Sequence, residues 1–113
     1  MGKYSKGANF ERDVIKHLEK KGLHCIRSAG SKGIVDIVAF NIVNDRPIGH
    51  SVFPNTNKST LVYLIQCKYG NATMNKQDKK ELIELANKYS FIPVYAHKRK
   101  NAKHLKMDIL KEE

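Results

Sequence analysis

The sequence predicts one α/β domain whose elements run in the order αβββαββ. Three observations carry that expectation. Residues 7–22 and 75–89 repeat apolar side chains at helical spacing. Five short stretches, 23–28, 35–40, 61–68, 92–97 and 104–110, are apolar runs or alternate apolar with polar residues, as strands do. Turn-forming residues separate most of these segments. The chain has 113 residues, 41% of them hydrophobic, which suits one modest core.

The first helix is defined by the stripe Phe10, Val14, Ile15 and Leu18 and is stopped by Gly22. Glu11 lies three, four and seven residues before Val14, Ile15 and Leu18, so it shares their face and points inward. Arg12 and Lys16 fall to one side of the stripe. "LHCIRS" reads as a strand, "AGSKG" (29–33) as a turn, and "VDIVAF" (35–40) as the next strand. Asp36, Val38 and Phe40 share one face of it. A carboxylate within such an apolar run costs stability unless something positive compensates it.

Residues 41–60 are rich in Asn, Ser, Thr and Pro and lack sustained periodicity, so they read as a long hairpin connection. In "LVYLIQCK" (61–68), Leu64, Gln66 and Lys68 share one face and Ile65 and Cys67 the other. Asn75 is a good N-cap with Asp78 three residues on, opening a helix whose buried side is Leu82, Ile83, Leu85, Ala86 and Tyr89. "IPVYAH" (92–97) is a strand and "KRKNAK" a basic turn. Leu105, Met107 and Ile109 alternate with polar residues in a half-exposed last strand. No internal repeat and no linker interrupts residues 1–113, which are expected to form a single domain.

Charge narrows the function. Lys and Arg number 21 against 11 Asp and Glu, a net charge of +10. Such a surplus most often meets a polyanion, because counterion release favours binding to phosphates. The bland alternative is a solvated, lysine-rich surface. No stretch is apolar enough to span a membrane, and the polar, basic first residues do not form a secretory signal. Lys6 breaks the myristoylation pattern that Gly2 would begin. An intracellular protein without membrane attachment is expected. Cys25 and Cys67 are too few for a zinc site and read as buried thiols in a reducing compartment. The five histidines show no metal-ligand spacing.

Glu11, Asp36, Gln66 and Lys68 are polar groups pointing inward, and one edge of the sheet is where they would meet. Two carboxylates and a neutral amide oxygen make a hard-oxygen site suited to Mg²⁺, with Mn²⁺ a possible substitute. A lysine beside them would orient or help deprotonate a water, or offset charge on a phosphate. That set performs metal-assisted phosphodiester hydrolysis.

Asp36…Gln66-Cys67-Lys68 also resembles the PD-(D/E)xK nuclease signature. Around it, "KGANFERDVIKHLEKKG", "IRSAGSKGIVDIVAF", "YLIQCK" and "NKQDKKELIELANKYSFIPVYA" resemble, in order and context, the Holliday junction resolvases of archaea and archaeal viruses. The resemblance implies a restriction-endonuclease-like core, a mixed central sheet flanked by helices. It implies homodimers that nick two opposing strands of a four-way DNA junction, using divalent metal and no other small-molecule cofactor. It assigns Glu11, Asp36 and Gln66 to the metal, Lys68 and Ser31 to catalysis, and Arg12 and Arg27 to the DNA backbone near the scissile bond. Lys3 and Lys6 match a basic arm. Lys32 falls in the same loop as Ser31, and Lys98, Arg99, Lys100, Lys103 and Lys106 form a basic run expected to touch phosphates.

Two departures stand out. The usual glutamate is Gln66, which removes a charge from the metal site, and 29 residues separate Asp36 from Gln66 where a short hairpin is usual. Three readings follow: a junction resolvase, a nuclease of the same fold acting on other DNA structures, and a junction-binding protein weakened through Gln66.

Overall fold

The structure, a computed structural model, describes residues 6–28, 33–41 and 61–111. Helix α1 (Lys6–Lys20) leads into β1 (Leu23–Arg27), β2 (Ile37–Asn41) and β3 (Val62–Tyr69), followed by α2 (Lys76–Tyr89), β4 (Ile92–Lys98) and β5 (Lys106–Ile109). The expected order αβββαββ is the observed one. The long connection 42–60, the loop 29–32 with Ser31 and Lys32, and Lys3 lie outside the described residues. Lys6 opens α1, but its side chain also lies outside the described set.

The five strands form one sheet in sequence order, β1-β2-β3-β4-β5. Every neighbouring pair is antiparallel except β3 and β4. That pair is joined through α2, and a parallel pair needs such a crossover. The sheet is therefore mixed, with a helix on each side.

Alternation sorts the strand residues between the two faces. Ile37, Ala39, Ile65, Val94 and Ala96 face α1 and pack with Phe10, Val14 and Leu18, all buried. Leu64 on the opposite face packs with Leu82 and Ala86 of α2. The apolar stripe of α1 is thus what seats Glu11 against the sheet. Gly22, at φ +91°, gives α1 the left-handed residue that turns the chain into β1.

At the start of α2, Asn75 Oδ1 accepts a 2.7 Å bond from the Asp78 amide, the capping contact its sequence predicts. At the other end Ser90 occupies the left-handed region at φ 61° and donates its amide to Ala86 and Asn87 carbonyls. One expectation fails here. Tyr89, assigned to the buried side of α2, is 53% exposed. It is the helix's last residue, and its ring lies against Phe91 at 5.8 Å with the Lys88 ammonium above it. Cys25 and Cys67 are unpaired and only partly buried, against the expectation of full burial.

Candidate metal and nucleic-acid site

Asp36 stands one residue before β2, not within the strand as its apolar flanks suggest. Its backbone nonetheless ties three strands together. Its amide donates to Ile65 of β3 and its carbonyl accepts from Ser28, next to β1, each at 2.8 Å. The following amide on that edge of β3, Cys67 N–H, finds no strand carbonyl opposite and donates instead to Asp36 Oδ2 at 2.8 Å. The carboxylate thereby replaces a ladder partner and is held on the backbone amide of the residue between Gln66 and Lys68. That is the compensation an apolar run with one acid demands.

Register places Gln66 beside it. Ile37 pairs with Ile65, so the next position outward on each strand sets Asp36 opposite Gln66. Gln66 is 5% exposed. Among the described residues its Oε1 has no hydrogen-bond partner, although it is fully buried. An unmet buried acceptor normally costs about 1–3 kcal/mol.

Glu11 comes from α1 and accepts a 2.7 Å charged bond from Arg27 Nε of β1. Its side chain is 19% exposed and that of Arg27 41%. The inward orientation read from the sequence holds, and Arg27 meets the Glu11 carboxylate. Arg12 is exposed on the outer side of α1.

The charges of this centre act on one another. Burial pushes the Asp36 carboxyl above the usual carboxylate range, and the Glu11 charge adds to that rise. The Cys67 amide, Lys68 and Arg27 pull in the other direction. Burial also pushes the Cys67 thiol up, with Asp36 and Glu11 contributing, so this cysteine is a neutral wall of the site rather than a nucleophile. Asp36 thus lies within electrostatic reach of Glu11, Lys68 and Arg27 and across the register from Gln66.

Among the described residues no three His, Cys, Asp or Glu side chains gather closely enough to hold a metal ion. The centre offers two carboxylates, and the Gln66 amide would supply a third oxygen. That oxygen is buried and unsatisfied, as a ligand awaiting a cation would be, so the donor set fits a hard divalent ion.

Sequence reasoning passed over His97. It pairs with Lys68 across the parallel β3–β4 ladder, stacks on Tyr95 at 4.4 Å, and is held by Asp108 of β5 at 2.8 Å. The alternation of Tyr95, His97 and Asp108 on adjacent strands was the available signal. Lys98 ends β4, and Arg99 and Lys100 are exposed in the turn after it.

Comparison with known proteins agrees with this arrangement. The profile of the family described as archaeal Holliday junction resolvase matches residues 2–46. A crossover junction endodeoxyribonuclease, Hjc, of Methanocaldococcus jannaschii is 34% identical over 99 residues, 85% of this chain and 61% of that protein. This chain thus spans about three fifths of that relative's length. The 1.6 Å structure of Hjc from Archaeoglobus fulgidus, a Holliday junction resolvase of an archaeal hyperthermophile, matches with a TM-score of 0.64. That match covers 96% of this chain and 80% of the other, at 23% identity, and it shows the shared fold. The three findings bear out the resemblance read from the sequence.

Proposed function

We propose that this chain, similar to archaeal Holliday junction resolvases in profile, sequence and fold, is itself a metal-dependent endonuclease that resolves four-way DNA junctions by paired symmetric nicks. The observation that carries the proposal is the Asp36 carboxylate held on the Cys67 amide, beside Glu11 and opposite a buried, unsatisfied Gln66 oxygen. Residues 1–113 would act as one nuclease domain, with 41–60 an insertion in the β2–β3 hairpin, working on DNA inside the cell.

Glu11, Asp36 and Gln66 would hold Mg²⁺, with Mn²⁺ able to substitute. When bound, such an ion polarises the scissile phosphate and makes its water more acidic. The protein's own groups do the rest. The Cys67 amide fixes the Asp36 carboxylate in one orientation. Arg27 fixes Glu11, and with Arg12 it would face the phosphate backbone. Lys68, whose charge already lowers the Asp36 pKa, would orient the attacking water or steady the phosphate. Ser31 and Lys32 in the loop and Lys3 and Lys6 at the amino end would add contacts to DNA. Among the described residues the two helices both pack on the sheet, which supports recognition of junction shape over sequence. A homodimer would set two such centres at a fixed separation and so select four-way geometry.

A synthetic four-way junction and matched linear duplex, incubated with the protein in Mg²⁺, Mn²⁺ or chelator, test this. Metal-dependent symmetric nicks confined to the junction are expected, and Asp36→Ala should lower the rate more than about 100-fold, since even supporting groups of a metal site contribute 10–100-fold. Gln66 favours one competing reading, a junction-binding protein with a weakened site. Tight binding without cutting in either metal, unchanged by Asp36→Ala, would decide for it. Cutting of duplex or flaps would mean a nuclease with another substrate.

A further inference from the structure

We infer that a DNA arm leaving the cutting site lays its sugar-phosphate backbone in a second, cationic cleft between α1 and the β4–β5 turn; this rests on the nuclease reading above. The cleft, of about 320 Å³, is lined by Lys16 and Lys20 of α1, Lys98 at the end of β4 and Lys103 in the turn, with His17 and Asp13 among them. Four lysines face one aspartate. None of the four makes an ion pair among the described residues. Converging ammonium groups repel one another, and a polyanion relieves that repulsion.

Helical spacing builds one wall. Asp13, Lys16, His17 and Lys20 stand at i, i+3, i+4 and i+7, so they form one stripe of α1. That stripe flanks the Phe10–Val14 ridge on the side away from Glu11 and Ile15. The catalytic carboxylate and the cationic stripe therefore occupy opposite flanks of one helix, and each faces a different part of the sheet.

The sheet end connects the two places. Tyr69, the residue after Lys68, pairs with Lys98 across the parallel β3–β4 ladder. Lys68 also shares a neighbouring cleft of about 440 Å³ with Lys100 of the same turn. Lys68 and Lys100 thus line one cleft at this sheet end, and Lys98, Lys103, Lys16 and Lys20 line the other. The cleft is too small to engulf a duplex and admits one edge of its backbone. Along α1, Lys16 and Lys20 are about 6 Å apart in rise, against a phosphate every ~3.4 Å of axis on each strand. Two lysines one turn apart can therefore meet separate phosphates.

The test compares two triple variants, each lowering the net charge by the same amount. Lys16→Gln, Lys20→Gln and Lys103→Gln empty the cleft of charge. Lys76→Gln, Lys80→Gln and Lys111→Gln remove charge elsewhere on the exposed surface. Binding to a fluorescent four-way junction is followed by anisotropy against NaCl in chelator, and single-turnover cutting is measured in Mg²⁺ at saturating protein. The cleft triple is expected to weaken binding at least tenfold at about 0.1 M salt and flatten the log–log salt slope by two to three. Its cutting rate at saturation should match wild type, and the surface triple should bind nearly as wild type does.

Wild-type affinity and slope in the cleft triple would overturn the inference. So would an equal loss in both triples, which would mean net charge alone. Wild-type protein that cuts no junction, yet binds linear duplex with the same loss in the cleft triple, would keep the cleft and remove the resolvase reading. Wild-type protein that binds no DNA would remove both.

Discussion

Asp36 and Gln66 carry opposite electrostatic burdens at one spot. The Asp36 carboxyl is raised by burial and by Glu11, so the folded protein holds its proton more tightly than the unfolded chain does. Stability is then fullest at low pH and declines as pH rises from the ordinary carboxylate value toward the raised native one. Asp36→Asn keeps an acceptor for the Cys67 amide but removes the charge. In metal-free buffer at pH 7 this variant should melt above wild type, with the gap closing as pH falls below about 4, the unperturbed range. Scanning fluorimetry across pH measures it, and a variant melting lower at pH 7 would mean the carboxylate is net stabilising. Gln66→Glu adds charge where the buried oxygen now goes unmet. It should tighten divalent-ion binding by roughly tenfold or more, because affinity follows ligand charge. The same change should lower the metal-free melting temperature through repulsion from Asp36 and Glu11. Calorimetric titration with Mg²⁺ or Mn²⁺ reads the first effect and melting in chelator the second.

At the scale of elements, two helix ends and one strand edge organise the site. The Asn75 cap is worth about 1 kcal/mol, so Asn75→Ala should lower unfolding free energy by that amount in a urea titration. Both helices, their stripes and this cap could be read in advance because they depend on local spacing. Asp36 was harder to place: Val35 and Ile37 continue the apolar run through it, yet β2 starts only at Ile37. Its partner is a backbone amide 31 positions away, which no side-chain pattern signals. Glu11 could be aimed inward by periodicity, but its bond to Arg27 depends on how α1 crosses β1. Tyr89 follows the helical stripe and is exposed all the same, because periodicity cannot tell where the layer beneath a helix ends. The unsatisfied Gln66 oxygen is likewise a property of the packed sheet and not of the residue type.

The whole molecule joins a strongly basic chain to a small acidic centre. Among the described residues no helix is long and apolar enough to cross a membrane, and the +10 charge favours phosphate-bearing partners. The proposed paired nicking would require two copies, and the exposed Tyr89 ring at the end of α2 is the aromatic surface assigned here to a second copy. Tyr89→Glu should therefore convert a dimer to a monomer in light scattering, and change coordinated double nicks into slow single ones; a dimer unaffected by that change would place the interface elsewhere. The proposed function rests on one divalent ion that Glu11, Asp36 and Gln66 would share. Diffraction from crystals soaked in Mn²⁺, with data collected at the manganese edge, tests that most directly. An anomalous peak is expected at about 2.0–2.6 Å from oxygens of all three side chains, the range of hard-cation contacts. A fully occupied peak elsewhere, or none at saturating Mn²⁺ with Gln66 Oε1 still unpartnered, would contradict it.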